Sequence, residues 1–158
     1  MAKTLSGSKV YVCATAQNSD LDAAAFAGLT WVEIGNVGNV GETGTNTNLV
    51  SYNELSTLVT QKAKGVSDAG SPTVECARSP TDAGQVIMRA ISVPTDTNEY
   101  AFKYEKNDAP AGFTNTIHYY RGVCVGPTRP NGGVEDFDLE VYMLGLNQVE
   151  VTVNPVAL

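Results

Sequence analysis

One stretch constrains this chain more than any other: Ser79-Pro80-Thr81-Asp82-Ala83-Gly84-Gln85-Val86-Ile87-Met88-Arg89-Ala90-Ile91, the clearest helical pattern in a sequence of alternating strands and turns. Ala83, Val86, Ile87, Ala90 and Ile91 fall at i, i+3, i+4, i+7 and i+8, so the spacing predicts an apolar helix face anchored by Val86, Ile87, Ala90 and Ile91. Ser79 is placed to cap the first free amides and Pro80 to sit in the first turn. Asp82 puts a negative charge at the positive helix end, and Pro94 stops the helix. A helix of about three turns is marginal alone, so this one needs a sheet to pack on. The expected fold class is mainly β, an antiparallel sandwich or partial barrel flanked by one α-helix.

The 158 residues suit a single domain spanning 1–158 with one real core. Seventeen carboxylates against ten Lys and Arg give a net charge of -7, which argues against a protein that grips nucleic acid by its phosphates. A wall that DNA slides past without sticking would carry the same sign. No run of 18 apolar residues and no signal peptide is apparent, so a soluble cytoplasmic product without membrane anchoring is expected. Cys13, Cys76 and Cys124 are odd in number and lack zinc spacing, and read as buried or idle thiols.

Residues 1–8 are small and polar and suggest a mobile arm. Lys9–Ala14 reads as a strand, Asp20–Ala27 as two helical turns closed by Gly28, and Leu29–Gly35 as a strand with the only tryptophan, Trp31. From Asn36 to Asn48 the run of Gly, Asn and Thr predicts a long loop, with Asn36, Asn39, Glu42, Thr45 and Asn46 as candidates for contact with another subunit. Leu49–Tyr52, Leu55–Lys64, Thr73–Ala77, Glu99–Lys106, Thr116–Val125, Glu135–Leu146 and a final strand through Val151 complete about eight strands. In Glu135–Leu146 the alternation puts Phe137, Leu139, Val141 and Met143 toward the core and Asp136, Asp138 and Glu140 on an outward carboxylate face.

Chemistry is scarce. The single histidine, His118, has no nucleophile elbow or phosphate loop to accompany it and reads as a packed or interface residue. Residues on one flat strand face cannot wrap Ca²⁺, so Asp136, Asp138 and Glu140 read as a solvated face rather than a metal site. No catalytic residue, metal or cofactor is expected, which leaves a carboxylate-based hydrolase as the weakest reading.

The order of elements resembles the tail tube proteins, or major tail proteins, of long-tailed bacteriophages. The likeness rests on Thr30-Trp31-Val32-Glu33-Ile34-Gly35, the long polar loop, the Lys64-Gly65 turn, Asp82-Ala83-Gly84-Gln85 opening the helix after Thr73–Ala77, and the Asp136–Val141 strand after a Gly-rich turn. It implies a non-enzymatic virion subunit, assembled in the host cytoplasm, that forms hexameric rings stacking helically into a hollow tube. Its partners would be further copies of itself and the tail terminator, tail tip and tape measure proteins, while DNA transits the lumen without specific binding. The loop Asn36–Asn48 would reach the adjacent ring, and Asp136, Asp138 and Glu140 become candidates to face the bore. A contractile tail stays open. The extra immunoglobulin-like C-terminal domain of some members is not expected in a chain whose last residue is Leu158. The alternative is a monomeric β-sandwich that binds or decorates a virion or cell surface.

Overall fold

The computed structural model describes residues 2–158, so Met1, the first residue of the expected arm, lies outside the described residues. Ten strands and two helices follow in the order β1 (Lys9–Val12), α1 (Ala23–Ala27), β2 (Val32–Ile34), β3 (Val37–Val40), β4 (Asn46–Tyr52), β5 (Gln61–Asp68), β6 (Thr73–Ala77), α2 (Ala83–Ile91), β7 (Tyr100–Glu105), β8 (Ile117–Thr128), β9 (Leu139–Leu146) and β10 (Val151–Val153). The fold is mainly β and antiparallel, as the alternation requires.

Eight strands form one sheet in the order β2-β1-β7-β8-β9-β6-β3, with β10 added beside β8. The two ends of that path, β2 and β3, are joined by Gly35 and Asn36 alone, so the sheet curls back on itself as a partial barrel. Asn36 makes the turn at φ 58°, a left-handed conformation that asparagine tolerates better than most residues. Val10, Val12, Ile34, Val74, Cys76, Phe102, Tyr120, Cys124, Tyr142 and Leu144 fill the interior. A smaller cluster on the opposite sheet face stacks Tyr119 on Phe26 of α1, ring centroids 5.0 Å apart.

Helix α2 starts later than its sequence suggests. Asp82, not Ser79, is the N-cap, accepting from the Gln85 amide at 3.0 Å. Its buried face is Gly84, Gln85, Met88 and Ile91, with Ile87 half-buried against the core, whereas Val86 and Ala90 are exposed. Two of the four expected anchors therefore face outward. The physical reason lies in Gly84: a Cβ there would collide with the Glu33 carbonyl and come within 2.6 Å of the Ile34 Cα. The helix approaches β2 backbone to backbone along its glycine, which turns it away from the most apolar arc.

Strand β9 is inverted relative to its alternation. Glu140, Tyr142, Leu144 and Leu146 are buried, while Met143 is 47% exposed and Leu139 and Val141 only half-buried. The apolar residues of the alternation, Leu139, Val141 and Met143, thus lie on the side away from the core.

Candidate functional site

Strands β4 and β5 pair only with each other, from Asn46 opposite Asp68 to Tyr52 opposite Gln61. Every residue of both strands is exposed except half-buried Gly65. The Asn- and Thr-rich sequence forms strands because Thr47, Leu49, Val50 and Tyr52 suit an extended backbone and β5 supplies the hydrogen-bond partners; Thr47 and Ser67 also bond across the ladder at 2.8 Å. The result is an arm, residues 46–68, without a core of its own. At its tip Leu55 and Leu58 are fully exposed, and Leu49, Val50, Tyr52, Val59 and Val66 are exposed along it. An isolated two-stranded hairpin is marginal in water, and exposed apolar clusters of this kind mark contact surfaces.

The long loop expected over Asn36–Asn48 is thereby divided. Asn36 makes the β2–β3 turn, and Asn39 is a strand residue opposite Glu75. Glu42 and Thr45 lie in the connection to the arm, and Asn46 is its first residue. The five residues do not share one loop.

A second projection leaves the other end of the sheet. Between β8 and β9, residues 129–138 form a turn carrying exposed Val134 and Phe137, with the Asp136 carboxylate accepting from the Gly133 amide at 2.8 Å. Asp138 is exposed 3.9 Å from Arg78. Glu140 corrects the expected carboxylate face: its side chain is fully buried and cannot present charge to a bore. Asp136 and Asp138 precede β9 rather than extend it, so the three carboxylates share no strand face.

Buried Glu140 is instead the centre of an ionic cluster. Arg89 Nε donates to one of its oxygens at 3.0 Å and the Tyr142 hydroxyl to the other at 3.0 Å, while the half-exposed guanidiniums of Arg78 and Arg129 stand 3.4 and 3.6 Å away. The Tyr142 hydroxyl is pushed well up by burial and then by Glu140. Buried Gln85 joins this cluster to the fold: its side-chain oxygen accepts from the Ser79 amide at 2.7 Å and from Arg89 at 3.1 Å, and its amide donates to the Gly35 and Ala77 carbonyls, both at 2.9 Å. Asp82 also accepts from the Gly35 amide at 3.0 Å. Asp82-Ala83-Gly84-Gln85 thus ties α2 to the turn that closes the barrel.

His118 forms no catalytic relay with its neighbours. His118 Nδ1 lies 2.8 Å from Glu150 and 2.9 Å from the Thr152 hydroxyl, but both partners approach the same ring nitrogen, so no proton can pass from hydroxyl to carboxylate through the ring. Cys76 and Cys124 are buried free thiols, raised to about 11 and about 12 chiefly by burial, and Cys13 is buried and free as well. Among the described residues no cluster of His, Cys, Asp and Glu could hold a metal. No helix among them is long and apolar enough to cross a membrane.

Sequence reasoning placed strands at Leu49–Tyr52 and Leu55–Lys64 but missed that they pair only with each other as an arm, with residues 55–60 at its tip, and it missed the cluster of half-buried Arg89 with buried Glu140 and Gln85. The signal for the cluster was a lone Arg and Gln four residues apart within an otherwise apolar helix.

No protein-family model matches this sequence, and no curated protein does. Solved structures similar to the fold include a chain of the anti-feeding prophage baseplate, determined by cryo-EM with 6-fold symmetrisation. The superposition covers 98% of each chain with a TM-score of 0.65 at 8% sequence identity, so the likeness is one of overall fold.

Proposed function

We propose that this chain is a structural subunit of a phage-type tail tube, built from six-membered rings of identical copies that stack into a hollow conduit. The observation that carries this reading is the arm, residues 46–68, whose apolar residues stay exposed among the described residues. An arm of this kind in a lone particle would be an aggregation hazard, whereas an ordered assembly of copies uses it up. The full-length likeness to a chain of a 6-fold symmetrised baseplate supports the choice of a ring and the setting of a virion or virion-like particle. In that setting the chain does no chemistry, its partners are further copies and the proteins that begin and end the tube, and DNA passes without being held.

The same likeness favours a second reading, a ring at the baseplate end of such a tube rather than its repeating body. Negative-stain microscopy of the purified chain separates the two. Hollow filaments support the repeating subunit, and closed rings that do not extend support the terminal ring. Monomers at every concentration, and after mixing with tail-tip proteins, would overturn both.

A further inference from the structure

The register of β6 against β9 fixes where the two exposed projections leave the molecule. Thr73 lies opposite Met143 and Ala77 opposite Leu139, and the ladder continues upstream with the Leu146 amide donating to the Gly70 carbonyl at 3.1 Å. The arm, which ends at Asp68, therefore departs beside Leu146, and the 129–138 turn departs beside Leu139. Seven residues of strand separate those points, roughly 23 Å at about 3.3 Å per residue. The projections leave opposite ends of one sheet.

Their chemistry is complementary. On the arm, Lys62 and Lys64 lie on one face of β5, opposite Ser51 and Leu49, and neither takes part in an ion pair among the described residues. At the other end Glu135 and Asp136 are exposed and likewise without a cation partner among the described residues. Each charged pair shares its projection with uncovered apolar side chains, Leu55 and Leu58 on one, Val134 and Phe137 on the other.

We propose that the arm of one copy seats the 129–138 turn of the next, head to tail, with Lys62 and Lys64 facing Glu135 and Asp136. This rests on the self-assembling reading and names the surface that receives the arm. A contact of arm with arm would leave Val134 and Phe137 of the turn in water. The opposite-ended arrangement satisfies both projections at once and repeats indefinitely, as a heterologous contact must to build a stack. Opposite charges across it select register and speed encounter. The occupant is a second copy rather than nucleic acid, because the chain carries a net charge of -7 and only the turn of another copy offers uncovered apolar side chains beside its carboxylates.

Charge exchange tests this on the full chain. K62E/K64E and E135K/D136K should each keep the wild-type circular dichroism and melting curve, since all four positions are exposed, yet each should lower the assembled fraction by light scattering about tenfold or more. The two variants mixed in equal amounts should assemble together, because each then supplies the arm that fits the other's turn, and the fourfold exchange should assemble alone. Assembly of either pair variant like the wild type, or failure of both the mixture and the fourfold exchange, would overturn this contact while leaving the tube reading intact. A wild-type chain that never assembles would remove the tube reading itself.

Discussion

Arg89 and Glu140 meet 3.0 Å apart, the carboxylate with no solvent exposure, and through this pair α2 is bonded to the strand that lies between β6 and β8. Removing one partner of such a pair leaves a buried charge uncompensated, a loss of about 3–5 kcal/mol. Arg78 and Arg129 stand close enough to keep part of the compensation when Arg89 is lost, but nothing replaces Glu140. Glu140→Ala should therefore lower stability more than Arg89→Ala, and in urea denaturation the double variant R89M/E140L should be less unstable than the sum of R89M and E140L. Strict additivity would mean that the pair is not coupled.

The close approach of α2 to β2 makes Gly84 a second point of failure. An alanine methyl would press on the Glu33 carbonyl and the Ile34 backbone, neither of which can swing aside. Gly84→Ala should cost about 1–3 kcal/mol despite the better helix propensity of alanine. Gly38→Ala, with nothing within 4 Å of the added carbon, is the matched control and should leave the melting temperature within a degree or two, about the scatter of a neutral change.

The helix face gives a third test, and it shows where the sequence could and could not be read. Met88 is fully buried, so Met88→Ala should cost about 2–5 kcal/mol, while Val86→Ser, on the outward side, should change folding by about 0.5 kcal/mol or less. Apolar spacing alone reverses that ranking. The period of α2, the strand Thr73–Ala77 with Val74 and Cys76 inward, and the alternation of Tyr100, Phe102 and Tyr104 were all legible, because each depends on local pattern. The orientation of α2 and of β9 was not. Both present apolar residues to the outside and bury Gln85 and Glu140, which half-buried Arg89 satisfies, so hydrophobicity pointed the wrong way in both places. The arm was legible only in part: Leu49–Tyr52 and Leu55–Lys64 read as strands, but that they pair only with each other and stand clear of the core was not, and Asn46–Asn48 reads as loop where no core imposes alternation.

Thiol chemistry offers a readout that needs no variant. Burial holds the Cys76 thiol at about 11, with nearby Glu140 adding to the shift, and holds Cys124 at about 12. The thiolate is the reactive form, so at about pH 8 neither should be alkylated by iodoacetamide in the folded protein, and both should react in urea. Rapid alkylation of Cys124 under native conditions would mean that β8 opens on that timescale.

Acid stability should trace in part to Asp108. The Thr116 amide and hydroxyl both donate to its carboxylate, at 2.9 and 2.7 Å, and these bonds lower its pKa from 3.8. A carboxyl that is more acidic folded than unfolded stabilises the fold fully above 3.8, where it is ionised in both states, and loses that contribution as the pH falls through the lowered folded value. The tie holds the turn after β7 to the residue just before β8, so its loss loosens the Asp108–Thr116 connection first. Asp108→Asn should therefore lower the urea midpoint at neutral pH and leave it closer to the wild type near pH 2. The pH dependence of the midpoint below about pH 4 should be shallower in the variant, and a variant whose acid limb ran parallel to the wild type would place the acid sensitivity on other carboxylates.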